Sequence, residues 1–202
     1  MIKFMCLLTE AIKVERKKFQ NLEYHQRRFD DARMKLFGLD DQIQLEEVLQ
    51  LPGNITDATY KCKIVYSHKI QSVCFTLYEK HLPNSIKLVY DNTIDYSFKY
   101  DNRRNLETLI ENSGADEILI VKNGMVTDTS RSNIVLAKGN KLITPATFLL
   151  EGTKRKNMLE NNLIGEEAVS VDALFKYEKL FIINAMIDLE DQPGFPVQEI
   201  KQ

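Results

Sequence analysis

"GADEILIVKNGMVTDTSRSNIVLAKGNKLITP" (residues 114–145) holds two pairs of apolar, strand-like runs separated by seven polar residues, "TDTSRSN", without a glycine. A tight hairpin turn takes two to five residues and usually a glycine. A longer polar connection that lacks one has the pattern of a loop held in place by something it binds. Asp128, Arg131, Ser132 and Asn133 stand in that loop.

Working outward, the chain has 202 residues, enough for one large domain or two smaller ones with separate cores. A net charge of −2, with 44% hydrophobic and 28% charged residues, gives no bias toward nucleic acid or membrane. No apolar run approaches the roughly 20 residues of a transmembrane helix. The start, "MIKFMCLLTEAIKVERKK", reads as a strand over residues 4–14 rather than a signal peptide, because Glu10 interrupts it and no cleavage pattern follows. Three scattered cysteines imply a reducing compartment, and three histidines far apart in sequence predict no metal site. A cytoplasmic protein is expected.

"EYHQRRFDDARMKLFG" (residues 23–38) reads as a helix, with Phe29, Ala32, Leu36 and Phe37 on one stripe and Gly38 as its stop. Residues 40–53 read as a second helix, and "YKCKIVY", "IQSVCFTLYE" and "SIKLVY" as strands. "DNTID" (residues 91–95) is the expected linker, which divides the chain into a smaller lobe of residues 1–90 and a second lobe of residues 91–202. Beyond it, "YSFKY" predicts a short strand and "RRNLETLIENSGA" a helix. "TKRKNMLENNL" predicts another helix, and residues 168–186 strand, short helix and strand. Strand runs and isolated helices kept apart in this way indicate an α+β architecture in two lobes.

Five features carry candidate chemistry. Lys99 in "DYSFKYD" is either an edge-strand lysine that discourages aggregation or a desolvated amine able to form an imine with a carbonyl. Gly152 and Thr153 in "LLEGTKRKNML" open a helix, where backbone N–H groups either are capped by Thr153 or receive an anion. Lys154 and Arg155 at that positive helix end favour the anion. Arg27 and Arg28 either pair with nearby carboxylates or clamp a phosphate. Asp128 either caps a turn or serves the site, and Asn184 in "FIINAM" ends an apolar strand as a turn residue or a ligand.

The order of these features resembles the class IV aminotransferase family, the fold type IV pyridoxal-phosphate enzymes. Residues 114–145 are similar to the family's "GADE … VTE-xx-xSN … TP" pattern, "HQRRFDDARMKLFG" to its "HlxRL" segment and "EGTKR" to its "PGITR". The resemblance implies a two-lobed fold like that of D-amino-acid aminotransferase. The chain starts almost at the family's "FETI" segment, here "TEAI", so an N-terminally shortened member is expected. It also implies pyridoxal 5'-phosphate as cofactor, a small-molecule substrate and a homodimer. Lys99 corresponds to the lysine that holds the cofactor as an imine and shuttles a proton, and Arg28 to the phosphate-binding arginine. Gly152, Thr153 and Lys154 correspond to the backbone cradle at the helix start, and Asn184 with Ala185 to a second phosphate-side turn. Asp128 stands where the family has the glutamate that faces the pyridine nitrogen, with Arg131 and Ser132 lining one side.

Within the family, "FIINAM" resembles the lyase segment "xxCNALMP", where branched-chain aminotransferases carry Gly-Thr-Ala. The expected reaction is cleavage of 4-amino-4-deoxychorismate to 4-aminobenzoate and pyruvate, a step of folate biosynthesis. The alternatives are a branched-chain or D-amino-acid aminotransferase and a degenerate member that binds without turnover.

Overall fold

Alternating and continuous apolar runs decide where the strands of this computed structural model lie, and residues 6–41 and 43–202 are described. The chain forms two compact units. The first comprises the described residues up to Lys80 together with Phe98–Asn102, and the second comprises His81–Ser97 and Arg103–Gln202.

In the first unit, β1 (Leu8–Glu15), β2 (Lys18–Phe19), β3 (Tyr60–Tyr66) and β4 (Ile70–Leu77) form an antiparallel sheet in the order β2-β1-β3-β4. In β3 the period-2 pattern is plain: Cys62, Ile64 and Tyr66 are buried and the residues between them are not. Helix α1 (Leu22–Phe37) packs Phe29 and Ala32 against Leu8, Ile12 and Ile64, and Gly38, at φ 68°, closes it in the left-handed conformation that glycine adopts freely. Phe29 is fully buried, with its ring centroid 4.5 Å from that of Tyr66.

The second unit starts with β5 (Ile86–Tyr90), crosses through α3 (Arg104–Ser113) and returns in β6 (Glu117–Lys122), parallel to β5. Helix burial follows, as Leu106 packs on Ile118 and Ile120. Strand β7 (Met125–Thr129) folds back on β6 through Asn123 and Gly124, both at positive φ, as a two-residue hairpin turn requires. The polar loop then carries the chain into a different sheet. There β8 (Asn133–Lys138), β9 (Lys141–Pro145), β10 (Gly165–Glu167), β11 (Lys179–Ile183) and β12 (Phe195–Pro196) run in the order β10-β9-β8-β11-β12. Helix α4 (Thr153–Glu160) lies between β9 and β10, and the short α5 (Val171–Leu174) lies between β10 and β11.

Four expectations change. The boundary falls after Lys80 rather than after Tyr90, because β5 pairs with β6 and so belongs to the second unit. Residues 96–100 are not a strand. The Asp95 carboxylate accepts from Ser97 N and Oγ, a local turn that competes with extension, and only Tyr100 bridges to Leu8. The backbone there rejoins the first unit, with Thr9 N donating to Lys99 O at 2.9 Å, so Lys99 stands in that unit and not in the second lobe. The helix expected over residues 40–53 shrinks to α2 (Leu45–Val48), where the Gln26 side chain accepts from Leu45 N and donates to Ile43 O; Gln42 lies outside the described residues. The strand expected near 168–171 lies earlier, at β10, and Ser170 instead caps α5. The first strand begins at Leu8, and the expected strand positions Phe4 and Met5 lie outside the described residues.

Phe29→Ala leaves a cavity at the centre of the first core. The variant should lose about 3–5 kcal/mol of stability in urea unfolding, and a loss under about 1 kcal/mol would show that Phe29 does not pin α1 to the sheet.

Candidate functional site

The sequence-predicted residues divide between the two units, and each group is built within its own unit. In the second, Asp128 sits near the end of β7 and is 6% exposed. Its Oδ1 accepts from Asn133 Nδ2 at 2.7 Å, and its Oδ2 accepts from Leu149 N at 2.9 Å and Leu150 N at 3.0 Å. Burial raises its pKa to about 6, against the pull of those hydrogen bonds and of the Arg155 charge. The polar loop is therefore a buried turn. Thr129 Oγ1 accepts from Arg131 N and Ser132 N, and only Arg131 of residues 128–133 is exposed.

Two segments converge on that turn. Asn133 Nδ2 also donates to Leu150 O at 3.0 Å, tying the turn to the approach of α4. At Gly152 a Cβ would fall 1.9 Å from Asn133 Oδ1, so no side chain fits there while Asn133 holds Asp128. Ser132 Oγ accepts from Asn184 Nδ2 at 2.8 Å, and Asn184 Oδ1 accepts from Met186 N and Ile187 N, which folds residues 184–187 into a turn around Ala185. Lys154 pairs with Asp188 just beyond it. Asp128, Ser132, Gly152, Lys154, Asn184 and Ala185 thus lie in one connected network, while the Arg131 side chain points outward.

Two sequence arguments are revised here. Thr153 is not the N-cap of α4: it is the first helical residue, and the N-cap is Gly152, which has no side chain to cap with. Nor do Lys154 and Arg155 require an outside anion, because Asp188 and Glu166 neutralise them.

In the first unit, Glu10 on β1 is fully buried; its Oε1 accepts from Arg28 Nε at 2.8 Å, and its Oε2 accepts from Arg28 Nη2 at 2.6 Å and lies 2.6 Å from His25 Nδ1. Burial pushes the Glu10 pKa up, but Arg28 and His25 outweigh it and hold the group at about 2. His25 is lowered from its ordinary value, by burial first and also by the Arg28 and Lys99 charges, with Glu10 opposing. Lys99 is half-buried and acts electrostatically on His25, so Lys99 and Arg28 share one charged cluster. Arg27 stacks 4.3 Å above the Tyr24 ring and stays outside it.

Sequence reasoning missed Glu10 and His25 as site residues. His25 and Arg28 are three apart, the spacing that puts side chains on one helix face, and this was the available signal. A cavity of about 310 Å³ in the second unit, lined by Leu82, Ile86, Leu180, Ile182 and Phe195, contains none of the predicted residues.

Asp128 has a folded pKa near 6 and an unfolded value of about 3.9. Its contribution to stability is therefore fully present below about pH 4 and is lost as the pH rises through 6. Measured in urea, the stability of the wild type minus that of Asp128→Asn should fall by roughly 2–3 kcal/mol from pH 4 to pH 7. A difference that stays flat would contradict the buried, weakly compensated carboxylate.

Residues 97–200, just over half the chain, match the family model for amino-transferase class IV. An uncharacterised Haemophilus influenzae protein is 32% identical over 182 residues, which are 89% of this chain and 97% of that one. The crystal structure of a provisionally named 4-amino-4-deoxychorismate lyase from Haemophilus somnus superposes with a TM-score of 0.81 at 29% identity, over 91% of this chain and 97% of that one. A provisionally named amino-acid aminotransferase from Mesorhizobium loti shares the fold, with a TM-score of 0.74 at 20% identity over 91% and 96% of the two chains. The chain belongs to the class IV aminotransferases, enzymes of fold type IV whose cofactor is pyridoxal phosphate.

Proposed function

We propose that the chain is a lyase that converts 4-amino-4-deoxychorismate to 4-aminobenzoate and pyruvate. The observation that carries this reading is the turn after β11. Asn184 spends its whole side chain there, on Ser132, Met186 and Ile187, in the position where branched-chain aminotransferases carry Gly-Thr-Ala. The likeness to the Haemophilus somnus protein, over nearly the full length of both chains, supports it.

The residues present fit the cofactor. Asp128 takes three hydrogen bonds on a carboxylate with about four lone-pair positions, which leaves Oδ1 able to accept one more N–H. Burial without a hydrogen-bonded cation makes a protonated ring nitrogen a favourable partner. The N-cap of α4 is Gly152, which brings no side chain to that helix start, and backbone N–H groups of Gly152, Thr153 and Lys154 at a helix N-terminus suit a phosphate. Ala185 adds the N–H of the second turn. In the first unit, Arg28, its orientation fixed by Glu10, supplies a cation of the kind that binds phosphate. Ser132 holds the Asn184 turn, and Arg131 lines the approach.

When bound, the cofactor supplies an electron sink for the carbon that loses its proton. Lys99 Nζ would hold the cofactor and, once the substrate amine has displaced it there, would be free to take the proton from the substrate ring carbon that bears the amine. Cleavage of the ether C–O bond releases enolpyruvate, which takes up a proton to become pyruvate, and the ring is left aromatic. Glu10 stays ionised at every working pH and keeps Arg28 and His25 oriented beside Lys99. Small-molecule turnover in the cytoplasm by a homodimer completes the proposal, and the unpaired state of Cys6, Cys62 and Cys74 supports a reducing compartment.

Product analysis of the loaded enzyme tests the reading. Release of pyruvate from 4-amino-4-deoxychorismate with no amino acceptor present is the expected result. Turnover that depends on a keto acid and yields no pyruvate would identify an aminotransferase instead.

A further inference from the structure

Arg155 is a guanidinium sealed inside the second unit at 2% exposure. Removing such a charge from water is costly unless partners compensate it, so its contacts show what it is held for. Its Nη2 donates to Pro145 O at 3.0 Å and pairs with Glu166 on β10, and its Cζ lies 4.5 Å from the Phe148 ring centroid. Its Nε is buried without a hydrogen-bond partner, so the fit is not ideal for the arginine itself. Pro145 and Phe148 belong to the run that ends in Leu149 and Leu150, whose N–H groups donate to Asp128 Oδ2. Asn133, the third donor to Asp128, packs against the Gly152 backbone one turn before Arg155.

The charges around Asp128 are few. Its hydrogen-bond donors are one amide side chain and two backbone groups, all neutral, and the Arg155 charge acts on it as well. Glu166 is 46% exposed and pairs with Arg155, so it offsets part of that charge. A neutral cage leaves a buried carboxylate close to protonation, and one nearby cation opposes that.

We propose that Arg155 is a positioning residue for Asp128: it clamps residues 145–148 so that the next two N–H groups meet the carboxylate, and the Arg155–Glu166 pair sets the charge that the carboxylate meets. The consequence for catalysis rests on reading Asp128 as the partner of the cofactor's ring nitrogen, whereas the effect on Asp128 itself exists without any cofactor. Two opposed substitutions separate charge from mere packing. Arg155→Met removes the cation. Glu166→Gln keeps a hydrogen-bond acceptor for Arg155 and removes the moderating charge.

The test is NMR of the full cofactor-free chain labelled with ¹³C at the aspartate carboxyl carbon, with the Asp128 signal assigned by its loss in Asp128→Asn. Arg155→Met should weaken the Asp128 acid by about threefold or more in its ionisation constant, and Glu166→Gln should strengthen it by a similar factor. Arg155→Lys, which keeps the charge, should stay nearer the wild type than Arg155→Met. Midpoints that move in the same direction in both variants, or that do not move, overturn the proposal. If Arg155→Met does not fold, the direction seen in Glu166→Gln decides. Titration of the same samples with pyridoxal phosphate, followed by absorbance, separates the two readings. Opposed shifts without cofactor uptake would leave this proposal standing and remove the functional one, and uptake with an unresponsive Asp128 would do the reverse.

Discussion

A carboxylate with almost no contact with water, held by three neutral N–H donors, is the constraint around which the second unit is arranged. A buried anion must find donors or lose its proton. Asp128 finds them in Asn133, five residues on, and in Leu149 and Leu150, more than twenty residues on. Meeting that demand sets the shape of the turn between β7 and β8, holds the run after β9 against it, and leaves room for no Cβ at Gly152. The Asn184 turn joins the same network through Ser132.

Glu10 and Asp128, both buried, meet opposite fates for a single physical reason. Glu10 is as deeply buried as Asp128, yet its donors are an arginine fork and a histidine ring, and it is driven down to about 2. Asp128 receives neutral donors and rises to about 6. Charge-assisted hydrogen bonds are roughly twice as strong as neutral ones, which is enough to reverse the balance against desolvation. Glu10 is thus a permanent anion suited to anchoring Arg28 and His25. Asp128 stays near its titration point, and a cationic ring partner would change its state most.

Local patterns were legible in the sequence and non-local partners were not. The alternation in "YKCKIVY", the stripe ending at Gly38 and the "KNG" turn each depend on neighbours within a few residues, and the strand, helix and hairpin lie where they predict. Asp128 and Asn184 were visible because polar residues interrupt apolar strands there. Glu10 was visible only as an interruption, since the arginine and histidine that explain it lie on the following helix. Lys154 and Arg155 suggested a missing anion because their carboxylates come from Asp188 and Glu166, which local sequence cannot pair with them. The linker reading of "DNTID" failed for a related reason, as β5 finds its parallel partner only across α3.

Whether this scaffold handles pyridoxal phosphate as described turns on the amine of Lys99, which lies in the charged cluster of the first unit. The most direct measurement is borohydride reduction of the cofactor-loaded protein, followed by proteolysis and mass spectrometry. The cofactor's added mass is predicted on the peptide that contains Lys99. Its appearance on another lysine, or on none, would contradict the account.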